Sequence, residues 1–219
     1  MLDAVAQDMR FHDRADAGRQ LAERLQRYAH RADVLVLGLP RGGVPVAYEI
    51  AQALNAPLDV CLVRKLGVPD HKELALGAIA SGGVRVLNDD VVSGMNISTP
   101  TIDAIAAKEL QELQRRDRAY RGDRPPLDIR DRTVILVDDG IATGATMRAA
   151  VSVIKPQQPA RLIVAAPVVA PPIYEELSLA VDEVVYVAMP EALRAIGFWY
   201  EDFAQTSDAD VRQRLADQS

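Results

Sequence analysis

Sulfur, aromatic rings and surplus positive charge are all scarce in this chain of 219 residues. Cys61 is the only cysteine, which excludes an intrachain disulfide and a cysteine cluster for zinc. It lies in the apolar run Val60 to Val63 and reads as an inert core thiol. Lys and Arg number 25 against 31 Asp and Glu, giving a net charge of −6 and a pI near 5.1. Such a balance argues against nonspecific binding to nucleic acid, which draws on a basic surface. No apolar run approaches the roughly 20 residues that cross a bilayer. Met1 to Arg14 is charged and lacks the apolar centre of a signal peptide. The expectation is a soluble, cytoplasmic protein with no membrane partner. No repeat or low-complexity tract appears, and the length suits a single domain over residues 1–219 with a full core.

What is present alternates between strand-like and helix-like segments, which points to an α/β fold with a mainly parallel sheet flanked by helices. Phe11 to His30 carries Leu21, Leu25 and Tyr28 on one face behind Asp13 as a cap. Val34 to Leu37 reads as the first core strand, Pro45 to Leu54 as the next helix and Leu58 to Val63 as the second strand. Gly77 to Ala80 and Val84 to Leu87 form a candidate hairpin through Ser81-Gly82-Gly83. Thr101 to Tyr120 is a long helix with Ile102, Ile105, Leu110 and Leu113 along one side, ended by Arg124-Pro125-Pro126. Leu162 to Ala166 and Val184 to Val187 read as later strands.

The most informative stretch is Val134 to Thr146. Val134 to Val137 is a continuous, β-branched apolar run suited to a strand buried on both faces. Asp138 and Asp139 stand where that strand leaves the sheet. Gly140, Ile141, Ala142, Thr143, Gly144, Ala145 and Thr146 follow, and the small residues among them let backbone N–H groups approach an anion at the start of the next helix. Paired carboxylates beside a phosphate cradle make sense if they face hydroxyls, so the pattern reads as a sugar-phosphate site with a vicinal diol on the acids. A second anion loop, Leu39-Pro40-Arg41-Gly42-Gly43, follows the first strand, where the glycines expose backbone donors and Arg41 offers a charged fork for phosphate oxygens.

At these residues the chain resembles the type I phosphoribosyltransferase family, whose signature is an apolar strand, two acids and a Thr-Gly-x-Thr loop that binds 5-phosphoribosyl 1-diphosphate. The wider layout adds Phe11-His12-Asp13-Arg14, Arg64-Lys65-Leu66-Gly67 and Gly197-Phe198-Trp199-Tyr200. Over almost the whole chain it resembles the uncharacterised branch of predicted bacterial phosphoribosyltransferases. The resemblance implies the type I fold with a small variable hood, here residues 189–204. It implies a 5-phosphate held by the loop to Thr146, and diphosphate held by Leu39 to Gly43, often through a strained or cis peptide. It also implies ribose hydroxyls and Mg²⁺ held by Asp138 and Asp139, the metal through water. A mobile lid is expected at Arg64 to Glu73, with Arg64, Lys65 and Lys72 as candidate cations for the departing diphosphate and Lys65 preferred. Lys65, Arg41, Asp138 and Asp139 form the expected catalytic set.

One departure stands out. Many purine enzymes of the family carry an acid shortly after the paired acids, whereas here Gly140, Ile141 and Ala142 occupy those positions. The nitrogenous base that would accept the phosphoribosyl group is therefore not named by the sequence. Phe198, Trp199 and Tyr200 can stack on a planar base or close the core or a dimer interface, and Asp182 and Glu183 either face a substrate amine or are simply exposed. Apolar surface on the long helix and the aromatic segment suits a homo-oligomer. Two other readings stay open: a non-catalytic sensor of phosphoribosyl diphosphate, whose partner would meet Arg115, Arg116, Arg118, Arg121 and Arg124, and another nucleotide phosphosugar enzyme. The bland reading of those arginines is a solvated helix face interleaved with Glu109, Glu112 and Asp117.

Overall fold

The structure, a computed structural model, describes residues 10–217 apart from Asp70 and the side chains of Lys72 and Glu73. Three expected lid members, Asp70 and the side chains of Lys72 and Glu73, therefore lie outside the described residues, as does Met1 to Met9.

Five parallel strands form the main sheet in the order β2-β1-β6-β7-β8, with β1 at Val34–Gly38, β2 at Leu58–Val60, β6 at Thr133–Val137, β7 at Arg161–Val168 and β8 at Glu183–Ala188. Every residue of β1 and β6 is buried, as expected of central strands covered on both faces. Their side chains divide by the two-residue period of a strand. Val34, Val36, Ile135 and Val137 enter one core cluster, while Leu35, Leu37, Val134 and Leu136 enter the other.

The first cluster is covered by α1 (Arg14–Arg24) and α2 (Gly43–Leu54), and the second by α5 (Ala145–Ile154) and α6 (Pro171–Ala180). Asp13 caps α1 by accepting the Asp16 N–H at 2.7 Å. From β1 the chain moves outward to β2, and from β6 it moves the other way to β7 and β8. The crevice at the carboxyl ends of β1 and β6 is thus the switch point where open α/β sheets bind ligands.

A second, antiparallel sheet joins β3 (Val63–Val68), β4 (His71–Ala80) and β5 (Arg85–Leu87). It corrects one expectation and gives another its backbone form. The strand expected over Leu58 to Val63 is divided: the Cys61 N–H reaches the Gly38 carbonyl at the end of β1 at 2.9 Å, where the ladder stops, and the Val60 carbonyl on the opposite edge is taken by Arg121 Nη2 at 2.6 Å. The segment read as a mobile lid is a β-hairpin with register slips at Leu66/Gly67 and Gly67/Val68. Leu66, Val68 and Leu76 are buried in it, and Arg64 pairs with Glu109 at 2.6 Å. The expected hairpin through Ser81-Gly82-Gly83 is the turn between β4 and β5.

The short α3 (Asp89–Gly94) leads to the long α4 (Thr99–Arg121). This helix stops before the expected Arg-Pro-Pro sequence, at Gly122, whose φ of 62° ends the helical run. Arg121 also departs from the solvated-face reading of the arginine cluster. It is buried against Asp59 at 2.8 Å and also pairs with Asp117, so breaking its pair would leave a buried charge, a loss of about 3–5 kcal/mol. Asp182, which is exposed, and the part-buried Glu183 both bond to other parts of the fold. Asp182 accepts the Leu162 N–H at 2.8 Å, and Glu183 accepts the Tyr28 hydroxyl at 2.6 Å and pairs with Arg27. The last helix, α7 (Asp208–Ala216), packs on α2 and α4. No helix among the described residues is long and apolar enough to cross a membrane.

Candidate functional site

At the end of β6 the chain folds back on β7: the Ile141 N–H donates to the Val168 carbonyl at 2.8 Å, and the Ile141 side chain is buried. The next five N–H groups, from Ala142, Thr143, Gly144, Ala145 and Thr146, donate to no partner among the described residues. Gly144 has a φ of 70°, a conformation that turns the chain into α5 and that a side chain would strain. Arg148 braces the loop from behind, donating through Nη2 to the Thr143 carbonyl and through Nη1 to Glu176, each at 2.9 Å. The result is a cavity of about 180 Å³ lined by Asp138, Gly140 to Met147 and Ile196. Clustered donors at a helix start suit an anion with several oxygens.

The loop after β1 lies beside it. Leu39 is buried, its N–H donates to the Val137 carbonyl at 2.8 Å, and the Gly43 N–H returns to the Leu39 carbonyl at 3.0 Å. Leu39 therefore positions the loop through its backbone and core packing. The Pro40–Arg41 peptide is cis. Arg41 is half-buried, with Nη1 3.8 Å from Asp208. Gly42 backs directly onto Asp139, and a Cβ there would collide with the Asp139 carboxylate, so the absence of a side chain is what lets the two loops meet.

The acids between the loops have distinct surroundings. Asp139 Oδ2 accepts from Arg14 Nε at 2.8 Å, and its carbonyl accepts the Tyr200 hydroxyl at 2.6 Å. Asp138 Oδ1 accepts the Asp139 N–H at 2.9 Å. Burial, then the charge of Asp139, pushes the Asp138 carboxyl well above the ordinary carboxylate range. Burial also raises the Tyr200 phenol, reinforced by Asp139, so this hydroxyl remains a donor.

A strand-end acid pair, a partnerless N–H row and a neighbouring Gly-rich loop at the switch point coincide with a family pattern. The model of the phosphoribosyl transferase domain matches residues 9–188. The chain belongs to that family. Two Mycobacterium tuberculosis proteins, from strains CDC 1551 / Oshkosh and ATCC 25618 / H37Rv, are provisionally named phosphoribosyl transferases. Each is 50% identical over 201 residues, or 92% of this chain. The chain spans only 45% of the length of each. Among solved structures, TT1426 of Thermus thermophilus superposes with a TM-score of 0.88 at 42% identity, covering 96% of this chain and all of that one. The AQ2163 protein of Aquifex aeolicus, 14% identical with a TM-score of 0.51 over 92% of this chain and 84% of its own, shares the fold.

Within this phosphoribosyl transferase domain, Asp138 and Gly140 to Thr146 line one cavity and Gly42 and Gly43 meet the two acids, while the side chain of Arg41 approaches Asp208 and neither Lys65 nor Trp199 lines the loop cavity. Lys65, on β3, lines an adjoining cavity of about 670 Å³ between the small sheet and α5, with Asn88, Asp89, Asp90 and Arg148, and this cavity shares Ala145 with the loop cavity. Trp199 is partly buried and packs against the cluster of Phe11, Ala17 and Tyr200, so much of its surface serves packing. Cys61 is buried, its thiol pushed up to about 12 by desolvation, as befits an inert core group.

Sequence reasoning missed three contributors: Arg14, Tyr200 as the partner of Asp139, and Ile196, which lies against Gly140. Arg14 and Tyr200 stood inside motifs already noted, but neither motif says which distant atom it meets.

Proposed function

We propose that the chain binds 5-phosphoribosyl 1-diphosphate with Mg²⁺ and transfers the phosphoribosyl group to a nitrogenous base, releasing diphosphate. In this reading residues 1–219 act as one domain with 189–204 as its hood. The carrying observation is the row of partnerless N–H donors at Ala142 to Thr146, in a cavity edged by Asp138. Five donors and the start of α5 match the three oxygens of a 5-phosphate, and a carboxyl at the cavity edge matches a sugar hydroxyl.

The adjoining loop supports the diphosphate half. Arg41 and the N–H groups of Arg41 and Gly42 would serve the leaving group. Displacement breaks the bond between the anomeric carbon and diphosphate oxygen and forms a bond from that carbon to a base nitrogen. Positive charge grows on the sugar, where Asp138 stabilises it, and negative charge grows on the leaving group, where Arg41 and the loop donors stabilise it.

The acid pair fits a hard divalent cation. Asp138 is an oxygen donor whose ionised form is disfavoured by burial and by Asp139, a cost that a cation offsets. Among the described residues no three His, Cys, Asp or Glu side chains gather around one point. Most oxygens around Mg²⁺ would thus come from diphosphate, hydroxyls and water. When bound, Mg²⁺ supplies charge neutralisation to the departing diphosphate.

Calorimetric titration of 5-phosphoribosyl 1-diphosphate with Mg²⁺, followed by a diphosphate-release screen across bases, tests the reading. Saturable binding with base-dependent release establishes the transferase and names the acceptor. Binding with no release for any base makes the chain a sensor. Absence of binding overturns both.

A further inference from the structure

Asp138 and Asp139 are neighbours in sequence with unequal surroundings. Asp138 borders the loop cavity. Asp139 is engaged by Arg14 in a pair whose side chains are only 12% and 16% exposed. Arg14 also donates through Nη1 to the Ala204 carbonyl at 2.7 Å, and its guanidinium carbon lies 3.8 Å from the centre of the Phe203 ring, a cation–π contact.

The segment that Arg14 grips is fastened elsewhere as well. Tyr200 stacks on Phe203 with ring centres 4.8 Å apart and donates to the Asp139 carbonyl. Ile196 rests against Gly140, and the Phe11 N–H donates to the Trp199 carbonyl at 2.8 Å. Turning Asp139 toward a sugar would leave Arg14 buried without its counter-charge, a costly arrangement.

We propose that Arg14 is a positioning residue that divides the acid pair: Asp138 alone meets the sugar, and Asp139, held by Arg14, latches segment 196–204 beside the site. The role given to Asp138 rests on the phosphoribosyl diphosphate reading, whereas the latch does not. Arg14 acts through two separable features. Its charge holds Asp139, and its planar fork spans Asp139, Ala204 and the Phe203 ring at once. A lysine keeps the first and loses the second.

The test uses the full chain with Arg14→Gln, Arg14→Lys, Asp138→Asn, Asp139→Asn and the double variant Arg14→Gln/Asp139→Asn. Two quantities are measured: amide hydrogen exchange across 196–204 without ligand, and calorimetric affinity for 5-phosphoribosyl 1-diphosphate with Mg²⁺. Protection over 196–204 should fall about tenfold in Arg14→Gln, Arg14→Lys and Asp139→Asn, with the double variant no worse than the singles. Affinity should fall about tenfold in Arg14→Gln and Asp139→Asn and about 100-fold in Asp138→Asn. Arg14→Lys should recover most of the affinity and none of the protection, a split that a merely structural role would not produce.

Unchanged protection in Arg14→Gln, additive effects in the double variant, or equal losses of affinity at Asp138 and Asp139 would overturn the division. A native protein that fails to bind the ligand would sink the transferase reading and the sugar-contact role of Asp138. The ligand-free exchange measurement would still decide the latch.

Discussion

Two loops leave the carboxyl ends of neighbouring strands, one after β1 and one after β6, and each approaches an anion differently. The loop after β1 is tied to β6 through Leu39 to Val137 and closed on itself through Gly43 to Leu39, and presents a charged side chain. The loop after β6 presents backbone: its N–H groups from Ala142 to Thr146 have no partner among the described residues, and Arg148 braces it from behind. A backbone cradle fixes the place of a phosphate by shape, whereas an arginine follows charge over a longer reach. This difference suits a 5-phosphate that must not move and a diphosphate that must leave.

The contrast can be broken most severely at Gly144. An added Cβ would lie 2.7 Å from Ile173 Cγ2 at a φ of 70°. Gly144→Ala is expected to weaken ribose 5-phosphate binding by about 100-fold, roughly 3 kcal/mol of combined strain and misdirected donors, read by calorimetry. Gly42→Ala attacks the seam between the loops by displacing the Asp139 carboxylate. A loss of about 30-fold in affinity for 5-phosphoribosyl 1-diphosphate is expected, within the usual 1–3 kcal/mol for overpacking.

Arg41→Ala sharpens the comparison: inorganic diphosphate should bind about tenfold more weakly while ribose 5-phosphate is unaffected, since one charged hydrogen bond contributes about 1.5–3 kcal/mol. Equal losses for both ligands would show that the loops do not divide the labour.

The opposite ends of the same strands provide the smallest effect. There Asp33 accepts from Arg31 and from the Thr133 hydroxyl, each at 2.7 Å, which lowers its carboxyl to about 2. A lowered folded-state value means stability that is present above the ordinary carboxylate range and is lost as pH falls from about 4 toward 2. Because the pair is exposed, Asp33→Asn should cost only about 0.5 kcal/mol at pH 6 and nothing at pH 2, measured as the shift in urea midpoint.

How far the sequence could be read follows the same geography. The loop after β6 was legible because strand, acids and small residues lie in one run of thirteen, from Val134 to Thr146, and the parallel sheet followed from apolar runs alternating with helices. The Arg14 contact was not legible, since 125 residues separate it from Asp139. The break after Val60 was hidden too, because the ladder stops where the partner strand β1 ends, at Gly38. The hairpin within the expected lid did carry a signal, the alternation of Leu66 and Val68, but flanking charges and Pro69 masked it. At the hood the aromatic trio drew attention, whereas the side chain that reaches Gly140 is the aliphatic Ile196.

The parallel bridge between Phe11 and Tyr200 has a temporal consequence. A ribosome releases the amino-terminal segment first, and the two anion loops can fold on their strands while later residues are still being made. The acid pair, however, lacks its carboxyl-terminal neighbours until residues 196–204 have emerged, so a nascent chain stalled before Tyr200 would hold both cradles and still be without a finished site.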